Sequence, residues 1–249
     1  MPLAPEVVAA LTGATFVDLT HAFHPAIPHC ASFDAEQRIT LYHYDEGEGT
    51  RGHGFLAHEY RHVGQWGTHV DPPCHFIRGG RTLDAIPVDE MIRPLVVLDI
   101  EERSTRDPDA VADADDVLAW ERHHGPIPAG AFVALHTGWG RRWPDPARMA
   151  NRDAAGVQHF PGWSLGALEL LATERDVVAI GHDTTDTDPG RVVSRGQAPL
   201  EDYWLRQGKW QIELLADLDQ VPPAGALIVA TWPKPRDGSG FPARCFAAF

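Results

Sequence analysis

Gln65-Trp66-Gly67-Thr68-His69-Val70-Asp71-Pro72-Pro73-Cys74-His75 is the stretch from which the rest of the chain is read. His69 and Asp71 are two residues apart, and in an extended segment such residues point to one face. An imidazole nitrogen and a carboxylate oxygen are then offered to one point in space. Pro72 and Pro73 fix φ, and the reading is that they keep the segment out of a helix and hold His75 at a set distance. Gly67 allows a bend or a close backbone approach, and the Thr68 hydroxyl is placed to orient a neighbour. Imidazole with carboxylate is the ligand mixture of zinc, manganese or iron(II) sites. On its own a His-x-Asp pair also reads as a solvated strand end or a hydrogen-bonded histidine.

Outward from this stretch, the chain has 249 residues, enough for a well-buried core, with 43% hydrophobic and 22% charged residues. The spread of Pro and Gly through the chain favours one domain spanning residues 1–249. A net charge of -14 argues against nucleic acid and anionic membrane surfaces as partners. No apolar run is long enough to cross a membrane, and the start of the chain has no basic segment or apolar core of a secretory signal. Cys30, Cys74 and Cys245 are odd in number and widely spaced, which suits reduced thiols and a cytoplasmic location.

Periodicity predicts a helix over 5–11 ended near Gly13, and strands at 16–19, 38–44, 55–62, 95–100, 132–135, 176–180 and 226–230. Helices are expected over 113–123, capped by Asp, and from Ser164 to about Glu174. Residues 45–54 carry four glycines and read as a loop and candidate lid, and 141–162 as a long proline-broken loop. The Gly181–Pro189 turn follows a strand, where α/β proteins place functional groups, although Asp and Thr also favour ordinary turns. Asp18 and His21 read as a hydrogen-bonded structural pair. Phe23, Trp66 and Trp139 read as core aromatics, with an aromatic pocket as the alternative.

The Gln65–His75 stretch resembles the signature H-x-G-T-H-x-D-x-P-x-H of the cyclase family of metal-dependent hydrolases, which includes bacterial kynurenine formamidase and isatin hydrolase. Further segments are similar to the family's: Asp18-Leu19-Thr20-His21, Thr137-Gly138-Trp139, the Gly181–Pro189 turn, Gln211-Ile212-Glu213-Leu214-Leu215 and Gly238–Arg244. The resemblance implies a single α/β domain with a central, partly barrel-like β structure flanked by helices, of swivelling β/β/α type. It also implies Glu213 as a metal ligand, and a homodimer or homotetramer whose neighbours help close the site.

Two positions depart from the family. Gln65 replaces the first signature histidine, and Glu201 takes the place of a second imidazole. With two imidazoles gone, the expectation is one divalent ion held by His69 and Asp71, with Gln65 or Glu213 completing the set. The harder oxygen ligands make Mn2+ a competitor of Zn2+. His75 is expected off the ion, as general base and acid. The resemblance implies a metal-dependent amidohydrolase of EC 3.5 type, acting on a small-molecule amide or lactam. Alternatives are a polyketide-type cyclase or dehydratase using the same site, and a family member that binds ligands without turnover.

Overall fold

Nine strands of the computed structural model, which describes residues 2–45 and 51–249, form one sheet. Its order runs Phe16–Asp18, Arg244–Ala248, Ala226–Thr231, Ile92–Asp99, Phe132–His136, Ala179–His182, Trp210–Glu213, His69–Asp71 and Phe241–Pro242. The last of these strands and the second are separated in the chain by Ala243 alone. Laid flat, the second and ninth strands would lie about 34 Å apart, whereas two residues of chain reach about 7 Å. The sheet must therefore curl until its margins meet, which is the partly barrel-like α/β architecture the sequence implied. The seam is stitched by Ala243 N–H donating to the Thr68 carbonyl at 2.8 Å and by an antiparallel bridge between Thr20 and Leu215.

Strand alternation divides the interior in two. Leu95, Val97, Phe132, Ala134, Ala179, Trp210, Ile212 and Val70 fill the inside of the curl. Their neighbours Val96, Leu98, Val133, Leu135 and Ile180 face outward against helices Ala114–His124, Leu165–Glu169 and Pro199–Arg206, which contribute Val117, Leu168 and Trp204. Each buried Val, Leu, Ile or Phe among these contributes roughly 1.5–3 kcal/mol, so the two-period pattern fixes which face every strand presents. The helix over Ala114–His124 starts as its sequence suggests: Asp113 accepts from Asp116 N–H while the Asp116 carboxylate accepts from Asp113 N–H.

Four central strands, Ile92–Asp99, Phe132–His136, Ala179–His182 and Trp210–Glu213, run parallel. Parallel strands need crossovers, and ligands in such sheets bind outside the carboxyl ends. Asp99, His136, His182 and Glu213 are the last residues of these strands, so the crevice is lined with ionisable groups by topology alone.

Several expectations need correction. Pro72 and Pro73 do not bar a helical turn. Pro73 sits at the first position of a 3-10 turn, Pro73–His75, where a missing N–H costs nothing and φ is already suitable. The strand read at 176–180 is Ala179–His182, because Asp176 has a φ of 49° and delays extension. The helix after Ser164 is α-helical over Leu165–Glu169 and a π turn over Leu170–Glu174. Within 141–162 the chain forms a short helix, Pro146–Ala150, and Gly162 starts a two-residue strand. Residues 46–50 of the expected lid lie outside the described residues, and Arg51–Gly52 pairs with the Gln37–His43 strand.

Candidate metal centre

The site is assembled by strand register. His69–Asp71 runs antiparallel to Trp210–Glu213, with Glu213 opposite His69 and Gln211 opposite Asp71. Directly opposed residues hold their Cβ atoms about 4.5–5.5 Å apart, and the period of two puts all four side chains on one face. The other face takes Val70, Trp210 and Ile212 into the core. Gly67, with a φ of 64°, makes the bend before this strand, and a Cβ there would lie 3.0 Å from that of Phe23. The Thr68 hydroxyl donates to the Leu214 carbonyl at 2.5 Å and accepts from His21 N–H at 3.0 Å. It thereby clamps the residue after Glu213, which sits at a φ of 58°, an uncommon conformation for a leucine.

His69 Nδ1 lies 2.8 Å from the Gly67 carbonyl, an interaction only an N–H can make. The lone pair of Nε2 is thereby directed to the site, 3.3 Å from Asp71 Oδ2 and 3.5 Å from Glu213 Oε2. One ligand atom from each of His69, Asp71 and Glu213 lies within 4.8 Å of the others, as required to hold a single ion. A second such group, Asp71, His75 and Glu201, shares the aspartate. The two Asp71 oxygens face the two groups: Oδ1 is 3.9 Å from His75 Nε2, and Oδ2 finds no hydrogen-bond partner among the described residues.

Around this pair of groups the remaining polar side chains act as a frame. Gln211 is fully buried; its oxygen accepts from the Thr187 hydroxyl at 2.8 Å, so its amide nitrogen faces Glu201 at 3.1 Å and Glu213 at 3.2 Å. Asp188 accepts from the backbone N–H groups of Leu200 and Glu201, fixing the start of the Pro199–Arg206 helix that carries Glu201. His182 lies behind Glu213, with Nε2 3.6 Å from Oε1 and neither ring nitrogen hydrogen-bonded among the described residues. The sequence offers Gln65, beside Glu213, as a residue completing the ligand set. Its amide nitrogen donates to Asp71 Oδ1 at 3.1 Å and to the Ser239 carbonyl at 2.8 Å. Two acceptors on one atom put the nitrogen, and not the oxygen, toward Asp71. Gly240 makes room for it, since a Cβ there would fall 1.9 Å from that nitrogen.

The electrostatics are lopsided. Asp71, Glu201 and Glu213 are all buried, and among the described residues their ion-pair partners are histidines only. Burial, with the charges of Glu201 and Asp71, pushes the Glu213 carboxyl well above the usual range. Burial, with Asp71 and Asp186, does the same to Glu201. Burial also acts on Asp71, but protonation of the neighbouring His69, which a bound cation would replace, outweighs it and holds that carboxyl low. Burial and the neighbouring His69 lower His182 to about 3, so its imidazole is neutral. Buried carboxylates without compensation are costly, and a divalent cation is the group that such a donor set fits: one imidazole lone pair and carboxylate oxygens converging on one point.

The structure thus brings His69, Asp71, Glu213, Glu201 and His75 together, with Gln65 at the rim. Asp18 and His21 do not bond to each other: Asp18 pairs with Arg244 at 2.6 Å, and His21 stacks on Trp143 with ring centroids 4.4 Å apart. Trp66 and Trp139 are core residues, and Phe23 is partly exposed. His182 and Gln211 were not singled out from the sequence. Gln211 was within reach, since it stands two residues before Glu213 and must share its face; His182 carries no such spacing signal.

Comparison with known proteins adds an independent line. The model of the family described as putative cyclase matches residues 17–189. The chain is 34% identical over 200 residues to an isatin hydrolase of Roseibium aggregatum, covering 78% of this chain and 75% of that one. The fold is similar to isatin hydrolase A of Ralstonia solanacearum, with a TM-score of 0.88 and 31% identity over 100% of this chain and 98% of that one. It is similar also to an isatin hydrolase bound to the product analogue thioisatinate, with a TM-score of 0.88 and 28% identity over 98% of this chain and 96% of that one.

Proposed function

The chain belongs to the cyclase family, and on that premise we propose that it is a metal-dependent hydrolase cleaving the carbon–nitrogen bond of a small cyclic or open-chain amide. The observation that carries the reading is the set of three buried carboxylates, Asp71, Glu201 and Glu213, with histidine as their only ion-pair partner among the described residues. The similarity to isatin hydrolases supports a cyclic amide as the substrate class.

In this reading His69, Asp71 and Glu213 hold one divalent ion, Mn2+ or Zn2+. Such an ion is a Lewis acid that acidifies water and polarises an amide carbonyl. His75 is the group for proton transfer. Its side chain is 26% exposed where those of His69 and Asp71 are 6% and 1%, so it reaches the open side of the cluster. It takes the proton of the attacking water and delivers it to the nitrogen as the carbon–nitrogen bond breaks, which leaves a carboxylate and a free amine. Glu201, 4.0 Å from His75 Nε2, orients the imidazole and stabilises it while it carries the proton. Gln65 positions Asp71 and is not a ligand. Keeping the ion away from the second group leaves His75 free for this work.

The test is hydrolysis of a panel of lactams, formamides and lactones by protein loaded with Mn2+ or Zn2+ and by chelator-treated protein. Metal-dependent release of an amine from at least one amide is the expected result. Turnover of lactones alone, or ring closure and dehydration of a polyketide-like substrate, would replace this reading with another. Tight binding of amides without turnover would make the chain a binding protein.

A further inference from the structure

Three residues, each with a buried polar atom that finds no partner among the described residues, line one cavity, and none of them belongs to the metal centre. The cavity, of about 660 Å³, opens at the seam of the curled sheet and is lined by His21, Phe23, Glu36, Arg38, Trp232 and Arg244 among others. The unpartnered atoms are Glu36 Oε2, Trp232 Nε1 and His21 Nε2. Glu36 is only 5% exposed. A carboxylate oxygen so far from water without a donor is costly unless something supplies one. The volume is within the range of about 300–1,000 Å³ typical of small-ligand sites.

The lining states what the ligand must carry. Glu36 only accepts when ionised, so it asks for an N–H group. The Trp232 indole and the Arg38 guanidinium only donate, so they ask for an oxygen acceptor, best a carboxylate. Glu36 immediately precedes the Gln37–His43 strand and stands two residues from Arg38, which places both on one side of the extended chain. Arg244 is held by Asp18 at 2.6 Å and adds positive charge at the mouth. Phe23 and Trp232 supply apolar walls. We propose that this cavity is a binding site for a small amino carboxylic acid with an apolar or aromatic body. Its amine is taken by Glu36, and its carboxylate by Trp232 and Arg38. None of the ligands assigned to the metal centre lines the cavity, so the proposal holds whatever reaction that centre performs.

L-Phenylalanine, titrated calorimetrically into the full chain, is the probe, with phenethylamine and 3-phenylpropanoate as analogues lacking one charge each. The expected result is one site per chain for L-phenylalanine, with each analogue bound about tenfold or more weakly. Glu36→Gln and, separately, the exposed Arg38→Ala should each weaken L-phenylalanine about tenfold with metal content unchanged. The analogue series needs no variant, so it decides the matter even if Glu36→Gln does not fold. No binding of L-phenylalanine at concentrations of about 10 mM would overturn the proposal, as would analogues that bind equally well. A change in sedimentation of Glu36→Gln, with no effect on ligand binding, would overturn it in favour of a second copy of the chain as the occupant.

Discussion

Two acid–histidine clusters stand side by side at the carboxyl ends of the parallel strands, and they are finished to different degrees. In the first, Asp183 is buried, and each charge-bearing oxygen is met. It accepts from Thr137 N–H at 3.1 and 3.2 Å, from the Thr137 hydroxyl at 2.6 Å and from Gly140 N–H at 3.4 Å. Beside it His136 lies 3.3 Å from Asp99, and Glu101 pairs with Arg141. In the second cluster Asp71 Oδ2 and both nitrogens of His182 have no hydrogen-bond partner, and no arginine or lysine pairs with Asp71, Glu201 or Glu213 among the described residues. The sheet offers both clusters the same crevice. The difference is that backbone donors complete the first, which makes it scaffold, while the second is complete only with a cation.

The sharpest way to break this comparison is through His75. Replacing it with Ala should lower kcat by about a hundredfold to ten-thousandfold while the metal content of the folded protein stays as it was. Loss of the ion would make His75 a ligand and move proton transfer to Glu201. A loss of stability with full turnover per folded molecule would make it a packing residue. Next in size is Gln65→Ala, which removes the donor holding Asp71 Oδ1. Metal affinity should fall about tenfold to a hundredfold, the usual worth of a group that orients a ligand, and Gln65→His should recover part of it. An unchanged metal affinity in Gln65→Ala would remove Gln65 from the site.

The finished cluster should answer differently. Asp183→Ala strands the Thr137 and Gly140 N–H groups and should cost roughly 1–3 kcal/mol of stability, read by urea denaturation, with metal content per folded chain intact. If the metal went and stability stayed, the division between scaffold and site would be wrong. The smallest effect concerns His136. Burial lowers its pKa, but Asp99 and the neighbouring carboxylates outweigh this and raise it above 6.5. The stability it contributes is therefore fully present below pH 6.5 and is lost as pH rises through the higher folded value. The stability gap between wild type and His136→Gln should be larger at pH 6 than at pH 9, by less than about 1 kcal/mol because Asp99 is largely exposed.

Much of this was legible in the sequence because it rests on short-range rules. The period of two placed His69 beside Asp71, Asp113 announced its helix, and the apolar runs at 95–100 and 132–135 marked buried strands. What escaped depends on long-range pairing. Nothing local to Gln211 says that it faces Asp71; the register with His69–Asp71 does. The ring closure rests on a single residue, Ala243, joining the two margins of the sheet, which spacing cannot reveal. Pro73 was misread because proline ends a helix in its interior yet starts one at its first position. Gln65 shows the same limit: sequence names an amide without telling that its nitrogen, and not its oxygen, faces Asp71.

The central claim is that the unfinished cluster takes one divalent cation, and calorimetric titration of chelator-treated protein with Mn2+ tests it most directly. The account predicts one ion per chain, binding abolished in Asp71→Ala and retained in Asp183→Ala, with the melting temperature of wild type rising as the ion is added. Two ions of equal affinity per chain, or Mn2+ and Zn2+ binding that survives Asp71→Ala, would contradict it.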